Sequence, residues 1–425
     1  MLVAVALFWA VALVAQPWHT AIAAEPLRSI TRFDGALVDH GARLAALGNC
    51  ASCHTAQDGP PYAGGVPLTT PFGTIYGTNV TPDPETGIGN WSEAAFKRAM
   101  RKGIAQDGRF LYPAFPYDHF THATNDDLNA LYAFLMTRQP VQSRPPANQL
   151  YFPFTVRESV AVWNLLFLRN EPFRPDPAQG VEWNRGAYLV QSLGHCGSCH
   201  TPRNALGGEQ RRAALQGGEA EGWYAPALDA QSPSPLPWTV GQLTDYLRTG
   251  IASDHAIAGG PMQEVVASLG QASAEDIRAI AVYVTALMAS SPDGNQSRAT
   301  ATRRRAAQPL ANILPAANDA QMRLGAAVYA ESCAACHDQG RLSSSNSALQ
   351  LPLAAAVYEP DPRNLIHIVR EGISPVEGMP GRWMPAFGGS LTDEQLTALA
   401  IYLRRYAANA SPWLHVEKVV KETKK

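Results

Sequence analysis

The chain has 425 residues, 46% of them hydrophobic and 16% charged, with a formal net charge of −2 and a pI near 6.6. At about 150 residues per domain, this length predicts roughly three domains, each with apolar residues enough for its own core. The near-neutral balance, without a basic stripe, argues against nucleic acid as a partner. At the start, Leu2 to Ala15 form an apolar run, and Ala21-Ile22-Ala23 offer small residues for a signal peptidase. They predict a signal peptide over residues 1–23, with Ala24 as the other cleavage point. No Lys or Arg precedes the run, which leaves an uncleaved anchor as the competing reading, although the run is short for a bilayer span.

In chain order, residues 34–140 open with a helical pattern around Gly41-Ala42-Arg43-Leu44, followed by Cys50-Ala-Ser-Cys53-His54. A middle helix runs from Trp91-Ser92 to Ile104 and closes on Gly103. A last helix begins at Thr124 with Asp127 as its capping partner and places Leu128, Leu131 and Leu135 on one face. Residues 141–180 are a Pro-rich linker. Within it, Ser159 to Leu168 predict an apolar helix, closed off by Arg157, Glu158 and Arg169 and too short to cross a membrane. It is read as a helix packed between domains, or as a surface that docks on a partner or on lipid.

Residues 181–290 repeat the plan. Gly186-Ala187-Tyr188-Leu189 precede Cys196-Gly-Ser-Cys199-His200, a middle helix from Trp238 ends at Gly250-Ile251, and Ser273 with Asp276 opens a last helix through Ile277, Ile280 and Val284. Residues 291–318, rich in Ser, Arg, Ala and Asn, read as a flexible connector. Residues 319–408 repeat the plan again, with Gly325-Ala326-Ala327-Val328, Cys333-Ala-Ala-Cys336-His337, a middle helix ending at Gly372-Ile373, and Thr392 with Gln395 before Leu396, Leu399 and Leu403. Residues 409–425 read as a basic, solvated tail. The repeat recurs at about 140 residues, a domain's length and not a solenoid's. The expected fold is mainly α and loop-rich: three tandem class I cytochrome c-like domains.

That expectation rests on the pentapeptide. Cys-x-x-Cys-His is the attachment signature of a c-type haem. Two thiols form thioethers with the two vinyl groups of one porphyrin, and the next residue presents an imidazole to the iron. Three copies use all six cysteines, which leaves none for a disulfide or a zinc site. Cys50, Cys53, Cys196, Cys199, Cys333 and Cys336 are thus the predicted anchors of three covalently bound haem c groups, and His54, His200 and His337 the predicted iron ligands.

For the opposite face of each iron, the Gly-Ile that ends each middle helix serves as a ruler. Met262 lies eleven residues after Ile251 and Met384 eleven after Ile373, each beside a proline. A loop methionine opposite the motif histidine makes a His/Met axial pair. Met379 shares the third loop out of register and ranks second. The same step from Ile104 reaches Phe115, which cannot ligate iron. Just beyond stand His119 and His122. His119 is the expected sixth ligand there, with Met100, His122 or an open position as alternatives.

Three such units, with Trp183-Asn184-Arg185-Gly186-Ala187-Tyr188-Leu189 and Gly194-His195-Cys196-Gly197-Ser198-Cys199-His200-Thr201-Pro202-Arg203, resemble the trihaem cytochrome c subunits of bacterial membrane-associated dehydrogenases. The resemblance covers essentially the whole mature chain. It implies an electron-transfer subunit, not an enzyme in itself. Such a subunit takes electrons from a quinoprotein, flavoprotein or molybdenum-hydroxylase catalytic partner and passes them to ubiquinone or another cytochrome. It also implies a periplasmic location with peripheral association at the outer face of the cytoplasmic membrane. The family's first-domain loop normally carries Met where this chain has Phe115. The Leu111-Tyr112-Pro113-Ala114-Phe115-Pro116-Tyr117-Asp118-His119-Phe120 version resembles the branch associated with molybdenum hydroxylases. If the first iron is open, the alternative function is a catalytic haem, a peroxidase or small-molecule reductase, with His119 or His122 as acid–base groups.

Overall fold

The computed structural model describes residues 20–25, 33–289, 292–338, 349–375 and 383–424, with backbone only at 292–296. Most of the expected signal peptide, residues 1–19, lies outside the described residues, as does Met379. Spatial proximity divides the chain into two compact units. One comprises Met1–Ser198, Arg203–Gln210 and Gln271–Ile280, and the other Cys199–Pro202, Arg211–Gly270 and Ala281–Lys425. The expected second domain, 181–290, contributes residues to both.

In the first unit the helix Gly35–Leu47 crosses the helix Asn125–Met136. Leu44, Leu47, Leu128 and Leu131 are buried there at 2% exposure or less, as the three/four spacing requires. Gly41 sits at the crossing, where a Cβ would overlap the Ala130 carbonyl and the Phe134 side chain. Thr124 Oγ1 accepts the Asp127 amide at 3.1 Å, the cap read from the sequence. The middle helix Glu93–Lys102 is capped by Ser92 and ends on Gly103, whose φ of 61° is the left-handed turn that glycine adopts without strain. A hairpin, Pro67–Thr70 with Gly73–Tyr76, is extended by Gln149–Leu150. The apolar helix spans Ser159–Phe167. Val160 and Ala161 are buried beside Ile104 and Phe110, while Leu165 and Leu166 face solvent. In the same unit, the helix that begins at Val181 is tied through Arg185 to Asp276 by two bonds of 2.7 and 3.0 Å.

The second unit repeats these devices. Thr239 and Gln242 form a reciprocal capping box on the helix Val240–Thr249, which ends at Gly250 with φ 74°. Thr392 and Gln395 do the same for Asp393–Tyr406. That helix crosses Ala320–Ser332 at Gly325, where a Cβ would meet the Ala398 carbonyl and Tyr402.

Two stretches differ from the sequence reading. Residues 292–306 form a helix, not a flexible connector. Ala299, Thr302 and Ala306 are buried on one of its faces, and Leu310 follows at 1% exposure. Small residues at that spacing carry almost no hydrophobic periodicity, so the pattern is nearly silent. The basic tail also folds. Trp413, Val416 and Val420 join the third core, the last two on one face of the helix Val416–Glu422, and Lys424 pairs with Asp393 at 3.0 Å. Its exposed lysines flank a short apolar stripe that net charge obscures. Among the described residues, no helix is long and apolar enough to cross a membrane.

Candidate functional site

Each pentapeptide winds into a single helical turn: Cys50–His54, Gly197–His200 after Cys196, and Ala334–His337 after Cys333. In a helix, side chains three and four residues apart share a face. The two thiols of each motif therefore emerge together, one turn apart. The turns are entered through left-handed backbone at Asn49, φ 48°, and His195, φ 35°, residue types that tolerate it. The third enters directly from the end of the preceding helix at Cys333.

The three motif histidines share one arrangement. Nδ1 of His54 is 2.6 Å from the Thr78 carbonyl, Nδ1 of His200 is 2.7 Å from that of Pro226, and Nδ1 of His337 is 2.7 Å from that of Leu349. A carbonyl only accepts, so Nδ1 donates its hydrogen and Nε2 keeps its lone pair for a metal. Burial holds all three imidazoles below the ordinary histidine range, against the opposing pull of the carbonyl, and favours the neutral form that ligates. The loops returning over the first two turns approach so closely that a Cβ on Gly77 would overlap the Cys53 carbonyl, and one on Gly218 the Cys199 carbonyl. Paired thiols, a lone-pair-bearing Nε2 and a tight backbone cradle suit a covalently held haem.

The expected methionines stand on different backbones. Met262 is the second residue of the helix Pro261–Leu269, entered through Gly260, whose φ of 55° brings its backbone against the Trp223 indole. Met384 lies in an extended bridge, exchanging two 2.9 Å bonds with Ile373. The first unit follows the Met262 geometry. Leu111 N donates to Gly103 O at 2.7 Å as Ala258 N donates to Gly250 O at 2.8 Å, and Phe115 and Met262 each lie four residues on. Phe115 packs with Tyr117 and Phe120.

His119 has both ring nitrogens engaged. Nδ1 is 3.1 Å from the Gln191 carbonyl and Nε2 is 2.8 Å from Glu209 Oε1. Two acceptors satisfy a doubly protonated ring. Burial opposes that charge, but Glu209 and Asp118 outweigh it and hold His119 above the usual histidine range. Glu209 ends below the carboxylate range, since His119 and Arg203 overcome its own burial. Burial pushes Asp118 up. A bond from His119 to iron requires one of its contacts to be given up. His122 Nδ1 lies 2.5 Å from the Glu171 carbonyl, and Met100 is buried on the Glu93–Lys102 helix.

Sequence reasoning missed His195, whose Nε2 is 3.2 Å from the Gly48 carbonyl and whose ring meets Phe120 edge-on. It links the approach to Cys196 with the approach to Cys50. Burial, followed by the charge on His119, lowers it to about 4, so this ring is neutral at ordinary pH. Its place next to Cys196 was the available signal. Glu209 gave none, because nothing in its local pattern marks a partner ninety residues from His119.

Fold and site together define a c-type cytochrome. Residues 38–139 match the cytochrome c family, and residues 320–403 match the family described as cytochrome C oxidase, cbb3-type, subunit III. The chain is 40% identical over 390 residues to the gluconate 2-dehydrogenase cytochrome c subunit of Pantoea cypripedii, covering 87% of this chain and 85% of that protein. It is 35% identical to the fructose dehydrogenase cytochrome subunit of Gluconobacter japonicus over 90% and 82% of the respective lengths. The chain belongs to this family of cytochrome c electron-transfer subunits of bacterial dehydrogenases. It is also 42% identical over 405 residues to a nicotinate dehydrogenase subunit of Pseudomonas putida, covering 94% of this chain but only about a third (33%) of that longer protein.

Proposed function

We propose that the chain carries three covalent haem c groups and relays electrons from the catalytic subunit of a dehydrogenase to ubiquinone or another cytochrome. It works in the periplasm, peripherally attached to the outer face of the cytoplasmic membrane. The observation that supports this best is the threefold repeat of a motif histidine whose Nδ1 is committed to a backbone carbonyl. Cys50 and Cys53, Cys196 and Cys199, and Cys333 and Cys336 would hold the porphyrins, and His54, His200 and His337 would each offer a nitrogen to the iron. Met262 and Met384 would offer thioethers to the second and third irons. A bound haem c supplies one-electron oxidation and reduction at its iron; the protein's part is to fix the ligands and exclude water. His119 supplies the sixth ligand of the first iron if it exchanges Glu209 or Gln191 for the metal. Similarity to a nicotinate dehydrogenase subunit, together with the Phe115 loop, favours a molybdenum-hydroxylase type of partner over a quinoprotein or flavoprotein.

A second reading has its own observation. Both nitrogens of His119 are hydrogen-bonded and the methionine register holds Phe115, which favours an open first iron. Haem quantification on purified protein is expected to give three covalent groups per chain; one or none would overturn the relay. Exposure of the reduced protein to carbon monoxide separates the two readings of the first iron. One reactive haem means an open site, and none means six ligands throughout.

A further inference from the structure

Within the second unit lies a cavity of about 690 Å³ whose lining includes three guanidiniums, Arg298, Arg305 and Arg404, with Tyr224, Tyr358 and Thr302. None of the cysteines, histidines or methionines assigned to haem lines it, and neither does any Asp or Glu. The arginines are fixed by neutral groups. Arg404 donates to the carbonyls of Val357 at 2.7 Å, Glu359 at 3.1 Å and Ser411 at 3.1 Å, and lies 4.6 Å over the Trp413 ring. Arg298 donates to the Ser234 carbonyl, and Arg305 meets the Tyr358 hydroxyl. Among the described residues, none of the three has a carboxylate within ion-pair distance, whereas Arg303 on the same helix has Asp254 at 3.5 Å. Glu359, between Tyr358 and Pro360, does not balance them either. It is 4% exposed with an unpartnered Oε2, and burial pushes its carboxyl up to about 8, so it is mostly neutral at pH 7.

Three cations gathered around one cavity, Arg298 exposed and Arg305 and Arg404 half-buried, focus a positive potential there that favours an anion. The guanidinium fork matches the paired oxygens of a carboxylate or phosphate, and the tyrosine and threonine hydroxyls add donors. The volume exceeds one phosphate and falls within the range of small-molecule sites, about 300–1,000 Å³. We propose that this cavity is an oxyanion site for a ligand bearing at least two carboxylate or phosphate groups. A small soluble polyanion and the propionates of one of the chain's own porphyrins share that chemistry. The assignment stands on the arginines and does not depend on the direction of electron flow.

The test uses the haem-loaded full chain at low ionic strength with inorganic pyrophosphate as the probe, followed by calorimetry. Arg298→Gln and Arg305→Gln change side chains on a helix surface, and their visible spectra check that they fold. If the ligand is a soluble polyanion, pyrophosphate binds once per chain and each variant weakens it at least tenfold, with Arg305→Lys intermediate because charge remains and the fork is lost. If porphyrin propionates fill the cavity, the wild type takes no pyrophosphate. Each Gln variant then lowers the midpoint potential of one haem, because a positive charge that favours the reduced state is gone. Pyrophosphate binding that the variants leave unchanged, or neither binding nor a shifted potential, overturns the proposal.

Discussion

The loop after the first middle helix and the loop after the third begin from the same signal, a Gly-Ile pair, and end in different chemistry. In the third, Met384 is held in an extended bridge to Ile373 by two 2.9 Å bonds. In the first, the bridge forms six residues on, between Ile104 and Phe110, and the chain continues into an aromatic cluster of Phe115, Tyr117 and Phe120. The loop after the second middle helix shares the backbone of the first, bridging Ile251 to Ile257, and the residue choice of the third, with Met262. Backbone geometry and the residue placed at the eleventh position are therefore separate variables in this scaffold, and a shared spacing does not certify a shared conformation.

The comparison breaks most visibly at Met384. Met384→Ala is expected to remove about half of the far-red methionine-to-iron absorption and to lower one haem's potential. An unchanged band would exclude Met384 as a ligand, and Met262→Ala makes the matching test for the second site. Phe115→Met sharpens it in the opposite direction. The residue sits in the Met262 register, so the variant is expected to gain methionine absorption and raise the first haem's potential. If the spectrum does not change, the register is wrong.

His119→Ala is expected to have a smaller but more discriminating effect. If His119 binds the first iron, the variant becomes high-spin. If it stays on Glu209, the spectrum is unchanged and the protein loses about 1–3 kcal/mol of stability, which denaturant titration would measure. In the second case the loss depends on pH. Glu209 holds folded His119 above its ordinary value despite burial. The contribution is therefore full below the unfolded histidine pKa and disappears as pH rises through the folded value. A difference between wild type and variant that grows toward alkaline pH would exclude the clamp. The smallest difference is expected between Gly41→Ala and Gly325→Ala. Each places a Cβ against a crossing helix, and each is expected to cost about 1–3 kcal/mol in its own unit, with the haem spectra unchanged. A cost in only one unit would show that the two crossings are not equivalent.

Much of this molecule was legible because its information is local. The caps at Thr124, Ser273 and Thr392 act within a single turn, and each side chain accepts the amide three residues on. The left-handed glycines at 103 and 250 end their helices where the sequence places them. The buried leucines follow helical spacing. The helix over 292–306 escaped notice because its buried face is built from Ala and Thr, and the folded tail because two valines and a tryptophan are diluted among lysines.

By itself the sequence determined the three Cys-x-x-Cys-His turns, since two thiols and an imidazole at that spacing can serve one porphyrin whatever surrounds them. It also determined the repeat of helices that brings each turn to a core. Only the tertiary structure decided which carbonyl fixes each imidazole: Thr78, Pro226 and Leu349 lie 24, 26 and 12 residues from their histidines, in loops of unequal length. It also decided that His119 meets Glu209 and Gln191, and that three arginines from two helices surround one cavity with no carboxylate at ion-pair distance among the described residues. Hydrogen bonds and charges act over a few ångströms of space and not along the chain, so partners far apart in sequence leave no periodic trace in it.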